Sequence, residues 1–238
     1  MKVAMITGGA SGIGFATALL FARNNIVPII TGRREKLGLS QLKQLQKVCP
    51  KAKFYKMDVS NREQVKEVFS EMHSSFGRLD ILVNNAAISG PLNQSFEHYD
   101  YKKWLELLSI NISGVFNCTQ EALKQMKRES CIVNVSSIAG IKAGRAGASY
   151  TATKHAINGL TKSLAIEYAD KGIRVNSVCP GVIDTDMIVD IKKQKNLTTP
   201  MKRYGKTSEV AELILFLCKE QSSFMTGAII PIDGGVTA

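Results

Sequence analysis

Short blocks of unbroken apolar residues alternate along this chain with longer stretches in which apolar side chains recur every three or four positions. The blocks fall at 2–7, 26–31, 53–57, 79–83, 131–136, 173–178 and 228–232, rich in Val and Ile and without clean polar alternation. That texture belongs to strands covered on both faces. Between them lie helical stretches at 12–24, 34–48, 62–76, 101–127, 150–169 and 208–219. Strands and helices in succession predict an α/β fold, a parallel sheet with helices on both sides. Asn61 is expected to cap the third helix, which carries Glu63 and Glu67. Pro28 cannot donate to a strand ladder, so the beginning of the second strand is its expected place. No repeat, linker or low-complexity segment interrupts the pattern, and 238 residues suit one domain, 1–238.

Composition narrows the function classes. Hydrophobic residues make up 45% and charged residues 21%, an ordinary globular balance. The five cysteines (Cys49, Cys118, Cys131, Cys179, Cys218) are scattered without CxxC or metal-ligand spacing, so no metal site is expected, and buried reduced thiols are. The N-terminus enters a strand at once, which leaves no room for a signal peptide. No apolar run reaches the roughly 18–20 residues of a membrane span. A cytoplasmic protein is the expectation. The net charge of +11 permits anionic partners, but the basic clusters at Arg33-Arg34, Lys192-Lys193-Gln194-Lys195 and Lys202-Arg203 carry no interleaved aromatics. A solvated basic surface is therefore favoured over nucleic-acid binding.

Chemistry enters directly after the first strand. Gly8, Gly12 and Gly14 punctuate the run Thr7-Gly8-Gly9-Ala10-Ser11-Gly12-Ile13-Gly14 before an apolar helix. Such a turn lets backbone approach a pyrophosphate, and the helix N-terminus supplies N–H donors and a favourable dipole. At the end of the second strand, Ile30-Thr31-Gly32-Arg33-Arg34 offers two guanidiniums and no acid before Glu35. An acid there would suit a free ribose 2′-hydroxyl, whereas arginine matches a 2′-phosphate, so NADP(H) is expected over NAD(H). Arg33 is the chosen phosphate contact; for Arg34 a solvated first-turn role weighs equally. Asp58, followed by Val59, closes the third strand, where it would meet the adenine amino group or serve as a loop cap.

Farther along, Tyr150 and Lys154 stand four residues apart, with Ser137 thirteen residues upstream of the tyrosine. On a helix that spacing puts phenol and ammonium on one face. The lysine would favour the phenolate, and a hydroxyl nearby would hold a carbonyl oxygen. His155, about 100° around the helix from Lys154, should face away.

Taken jointly, these residues resemble the short-chain dehydrogenase/reductase family along the whole chain. Its glycine motif matches Thr7 to Gly14, its Asp-Val pair Asp58-Val59, and its Asn-Asn-Ala-Gly segment Asn84-Asn85-Ala86-Ala87. Its Ser-Tyr-Lys signature falls on Ser137, Tyr150 and Lys154, its helix asparagine on Asn111, and its Pro-Gly segment on Pro180-Gly181, continuing to Ile183 and Thr185. Thr226-Gly227 and Asp233-Gly234-Gly235 complete the match. The resemblance implies a Rossmann-like, doubly wound parallel sheet of seven strands and a nicotinamide cofactor at the strands' C-terminal ends. It implies Tyr150 as acid/base, Ser137 on the substrate oxygen, and Lys154 on the nicotinamide ribose, lowering the tyrosine pKa. Asn111 would hold a relay water, Ser11 and Ile13 belong to the glycine turn, Asn85 would line the adenosine half, and Ile183 and Thr185 would orient the carboxamide. The thirteen-residue spacing selects Ser137 over Ser136. Ala87 departs from the motif glycine, which would strain a turn that needed positive φ.

The resulting expectation is an NADP(H)-dependent interconversion of a ketone and a secondary alcohol. The short, insertion-free chain looks like 3-oxoacyl-(acyl-carrier-protein) reductases, with an acidic acyl carrier protein as candidate partner and a homotetramer implied by the resemblance. The segment between Thr185 and Pro200 is the expected substrate lid. Alternatives are an NAD(H)-dependent sugar, steroid or other alcohol dehydrogenase, and a dinucleotide-sensing protein without turnover; intact Asn111, Ser137, Tyr150 and Lys154 weigh against the sensor.

Overall fold

A computed structural model describes residues 1–90, 94–188 and 199–238. Its elements follow the alternation of the sequence: β1 (Lys2–Thr7), α1 (Gly12–Arg23), β2 (Ile26–Gly32), α2 (Glu35–Gln46), β3 (Lys53–Lys56), α3 (Arg62–Phe76), β4 (Ile81–Asn84), α4 (Tyr101–Leu108), α5 (Gly114–Leu123), β5 (Cys131–Val135), α6 (Ala148–Glu167), β6 (Arg174–Pro180), α7 (Thr207–Leu217) and β7 (Ile229–Ile232). All seven strands are parallel, in the order β3-β2-β1-β4-β5-β6-β7.

Adjacent residues on each central strand enter different cores. Met5, Ile29, Leu82 and Ile132 pack on one face with Phe69 and Met72 of α3 and Cys118 and Ala122 of α5. Their neighbours Ile6, Ile30, Val83 and Val133 pack on the other face with Phe21 of α1, Leu45 of α2 and Ile214 of α7. Period-two side chains with both faces covered yield the unbroken apolar blocks. The chain winds outward from β1 to β3, then crosses back to β4 on the other side of β1. At that reversal a crevice opens beyond the strands' C-terminal ends.

Two expectations are corrected. Pro28 lies inside β2, third in the strand, opposite Ala4. Gly32, four residues on and in the same phase, offers its carbonyl to Met57 on the β3 side. The Pro28 nitrogen therefore also faces β3, whose pairing begins only at Ile29 opposite Lys53. The missing donor falls where the ladder has not begun. The stretch 101–127 is not one α-helix either: a π turn at Ser109–Ser113 separates α4 from α5, and α5 ends at Leu123.

Helix α3 matches its expected bounds. Asn61 accepts a 3.1 Å hydrogen bond from the Gln64 amide, and Gly77 ends the helix at φ +67°. Such a cap contributes about 1 kcal/mol. Asn61→Ala should lower Tm by a few degrees in a thermal melt; an unchanged Tm would show that the cap contributes nothing.

Candidate active site

The glycine turn joins β1 to α1 with little space to spare. Gly8 holds φ at +62°, and a Cβ on Gly14 would come within 2.5 Å of the Gly8 carbonyl oxygen. Ser11 stands at the N-cap of α1 without a side-chain bond to its own helix, and no acid occupies the first turn. The first amides of α1 thus lack intrahelical partners, the usual condition of a helix N-terminus and one suited to an anion. Beside the turn lies a cleft of about 520 Å³, walled by Gly8, Ser11, Gly12, Ile13, Arg33, Arg34, Asp58, Val59, Asn85 and Thr185 among others. Gly14 stands behind this wall; its missing side chain lets α1 pack against the turn.

The β4 end is clamped to the same turn. Thr7 Oγ1 accepts the amides of Asn85 (2.9 Å) and Ala86 (3.0 Å), while Asn85 Nδ2 donates to the carbonyls of Thr7 (2.9 Å) and Gly8 (3.2 Å). Asn85 lines the cleft, but its amide protons are spent on the scaffold. Thr7 opens the glycine motif in the sequence, but its role as a clamp on β4 is visible only here. Ala87 does not adopt positive φ, so the motif departure carries no backbone strain.

The two arginines differ from expectation in detail. Arg33 Nη1 lies 3.8 Å from Asp58 Oδ2, so a carboxylate does stand nearby, contributed by the chain beyond β3. Both groups are substantially solvated, which makes the pair weak and easily exchanged. The other oxygen of Asp58 accepts from the Ser60 amide (3.0 Å) and hydroxyl (2.7 Å), so Asp58 is partly a turn-former. Arg34 is not merely solvated: its Nη2 donates to Ser11 Oγ at 2.9 Å, which anchors it over the glycine turn.

At the strands' C-terminal ends, α6 presents Tyr150 and Lys154 on one face, with the ammonium 5.5 Å from the phenol ring centroid. Lys154 is 3% exposed, and among the described residues its one hydrogen-bond acceptor is the Val135 carbonyl, at 3.0 Å. An ammonium has three protons, so two remain for a ligand. Ser137 Oγ accepts from the Ala139 amide (3.1 Å), and its own hydroxyl meets the Tyr150 phenol. Ser136 instead donates to the Lys154 carbonyl (3.1 Å), a structural role that agrees with the choice of Ser137. His155 bonds the Thr151 carbonyl at 2.9 Å on the exposed side, as its helical angle requires.

The electrostatics reverse one sequence expectation. Burial pushes the Tyr150 phenol up to about 12, with the Ser137 hydroxyl pulling the other way, and Lys154 is not among the causes of the shift. Burial also pulls Lys154 down to about 8. With protein groups alone around it, Tyr150 is held protonated because burial disfavours the phenolate.

Asn111 sits in the π turn, a distortion frequent at functional sites. Its Oδ1 accepts from the Ile88 amide (2.9 Å), and its Nδ2 donates to the Ile88 carbonyl (3.0 Å) and Thr153 Oγ1 (3.3 Å). Both ends of the carboxamide are engaged, so it has no proton left for a relay water. Thr185 lines the cleft. The Ile183 side chain turns instead into the core, where a Cβ on Gly205 would meet its Cδ1 at 2.5 Å. Only its backbone remains to reach a ligand. Most of the expected lid, residues 189–198, lies outside the described residues.

Comparison with known proteins places these features in context. The family described as enoyl-(acyl carrier protein) reductase matches residues 8–237. A 3-oxoacyl-[acyl-carrier-protein] reductase of Thermotoga maritima is 40% identical, covering 99% of this chain and 97% of its own. A 3alpha-hydroxysteroid dehydrogenase of Mediterraneibacter gnavus is 38% identical over 98% of this chain and 96% of its own. A short chain dehydrogenase from Burkholderia cenocepacia, solved in complex with NADP, superposes with a TM-score of 0.92 at 29% identity, covering 100% and 98% of the two chains. The glycine turn, the unspent protons of Lys154 and the two guanidiniums fit a nicotinamide dinucleotide.

The lysine shift has a consequence for stability. Between pH 8 and 10.5 the unfolded chain binds a proton that the folded chain has lost, so stability rises with pH in that window. Below pH 8 the full penalty applies, on the order of 3 kcal/mol. Lys154→Met should therefore be more stable than the parent in urea at pH 7, with the gap closing toward pH 10. A less stable variant at pH 7, or a gap indifferent to pH, contradicts this account.

Proposed function

We propose that this chain, which belongs to the short-chain dehydrogenase/reductase family, reduces a ketone to a secondary alcohol with NADPH, Tyr150 acting as the acid. The buried Lys154 ammonium beside the Tyr150 phenol, together with the cleft at the glycine turn walled by two guanidiniums, is the observation that carries this reading. When bound, the dinucleotide supplies the hydride and, once oxidised, a positive ring that eases formation of a phenolate. Tyr150, held protonated well above neutrality, has a proton to deliver to the oxygen that gains charge. General acid help of this kind is worth roughly 10²–10⁴-fold. Ser137, whose hydroxyl meets the Tyr150 phenol, turns its proton to the same oxygen and holds the carbonyl in line. Lys154, with two protons unspent, would hold the ribose hydroxyls of the cofactor beside Tyr150. Asn111 ties the Ile88 segment to α6 and so shapes the wall; a relay water would rest on backbone rather than on its carboxamide.

Arg33, with Arg34 anchored on Ser11, receives the 2′-phosphate in this reading, the phosphate displacing the weak contact to Asp58. Gly8, Gly12 and Ile13 support the pyrophosphate by backbone, Gly14 lets α1 pack close to it, and Asp58, Val59 and Asn85 flank the adenosine. Thr185 and the Ile183 backbone meet the carboxamide. Among substrates, a 3-oxoacyl thioester carried on an acidic carrier protein suits the +11 chain and the Thermotoga relative's activity. A hydroxysteroid or other cyclic alcohol is the second reading, favoured by the Mediterraneibacter relative at nearly equal identity. The family resemblance also supports a homotetramer. No described helix is long and apolar enough to cross a membrane.

Tyr150→Phe should abolish turnover while leaving NADPH affinity, read by fluorescence titration, nearly intact; parental activity on the identified substrate would remove the tyrosine from this role. Arg33→Ala should weaken NADPH at least tenfold more than NADH, since a charge-assisted phosphate contact is worth about 1.5–3 kcal/mol. Equal losses for the two coenzymes would contradict the 2′-phosphate assignment.

A further inference from the structure

Behind the Tyr150–Lys154 face, α6 carries a third polar residue one turn farther on. Asn158 is 7% exposed, and every polar atom of its carboxamide is engaged. Nδ2 donates to the Gly140 carbonyl at 2.8 Å, and Oδ1 accepts from the Ser177 hydroxyl of β6 at 2.9 Å. The Cys179 sulfur lies 3.7 Å from Nδ2. Gly140 closes the short turn Ile138–Gly140 that begins at Ser137. This turn is pressed directly onto α6: a Cβ on Gly140 would meet the Lys154 carbonyl oxygen at 2.7 Å, Ser136 Oγ at 2.7 Å and Asn158 Nδ2 at 2.8 Å.

The geometry has a specific consequence. Ser137 and Tyr150 belong to different elements, and nothing in local sequence fixes the gap between them. Side chains cross that gap at both ends of the turn, Ser136 onto the Lys154 carbonyl at the near end and Asn158 onto the Gly140 carbonyl at the far end, beside the Lys154 bond to the Val135 carbonyl. Ser177 in turn holds Asn158 in the rotamer that faces Gly140. An apolar side chain would fill this buried helix position without such ties, so the amide contributes connection rather than packing.

We propose that Asn158 is a positioning residue of the reaction: by tying the Ser137 turn to α6 and β6, it holds the Ser137 hydroxyl at the place where the substrate oxygen meets Tyr150. This inference rests on the carbonyl-reducing reading above. Misplacement of a reacting group by about 1 Å costs on the order of 100-fold in rate. Loss of the tie acts on kcat and leaves the dinucleotide cleft, which Asn158 does not line, untouched.

The test is a double-mutant cycle of Asn158→Ala with Ser137→Ala, read as kcat, KM and NADPH affinity on an active carbonyl substrate. Asn158→Ala should lower kcat 10- to 100-fold, with NADPH affinity within twofold of the parent. In the Ser137→Ala background the same substitution should cost less than threefold, because the hydroxyl it positions is gone. Losses that multiply, or a kcat within twofold of the parent, overturn the proposal. If Asn158→Ala does not fold, Ser177→Ala, which frees Asn158 to rotate, is read by the same cycle and decides in the same way. A failed reaction assignment looks different: it shows as full activity in Tyr150→Phe, whatever Asn158 does.

Discussion

A lysine ammonium buried where the central strands end is the constraint around which the site is organised. An uncompensated buried charge is among the least favourable groups a fold can contain. Here one backbone carbonyl meets it, and burial, against a smaller opposing pull from Cys179, brings it down to about 8. The same surroundings push the Tyr150 phenol up to about 12. One physical cause produces both shifts, because desolvation disfavours each charged form, the phenolate and the ammonium alike. A chain selected for stability alone would place an apolar residue at position 154. Retaining a charge there makes sense only if something else completes its coordination and changes the balance toward the phenolate.

The rest of the fold delivers that something to the right place. Reversal of the strand order between β1 and β4 opens the crevice. Thr7 and Asn85 then stitch the two strand ends together, so the glycine turn and the segment after β4 form one rigid wall. On the other side, the π turn at Ser109–Ser113 carries Asn111, whose carboxamide clips Ile88 toward Thr153 of α6. The wall at the glycine turn and α6 are thus tied through buried polar side chains. Such networks fix one geometry where apolar packing alone would tolerate several.

Much of this was legible in the sequence. The apolar blocks read as strands because both faces are covered, and α3 kept its expected ends because Asn61 and Gly77 cap it chemically. The glycine turn and the Tyr150–Lys154 spacing are local patterns, so they survived intact. What escaped was either hydrogen-bond register or long-range proximity. A π turn leaves no mark in side-chain periodicity, so 101–127 read as one helix. Arg33 meets Asp58 only because β2 and β3 end side by side, and Ile183 faces inward because of Gly205, twenty-two residues away. The tyrosine shift went the wrong way because a one-dimensional pattern reports the neighbouring charge but not the depth of burial. Asn158 passed unnoticed for the same reason: in sequence it is a polar residue on a helix, and its partners come from a turn and from β6.

The central claim, hydride transfer to a ketone from a phosphorylated dinucleotide, is tested most directly by nicotinamide absorbance. A panel of carbonyl compounds and secondary alcohols, including a 3-oxoacyl thioester and 3-oxo and 3-hydroxy steroids, is assayed with each of the two coenzymes. The account predicts NADPH oxidation with at least one ketone, faster than with NADH at equal concentration. Absorbance unchanged with every carbonyl and every alcohol, for a protein that still binds NADPH, would contradict it.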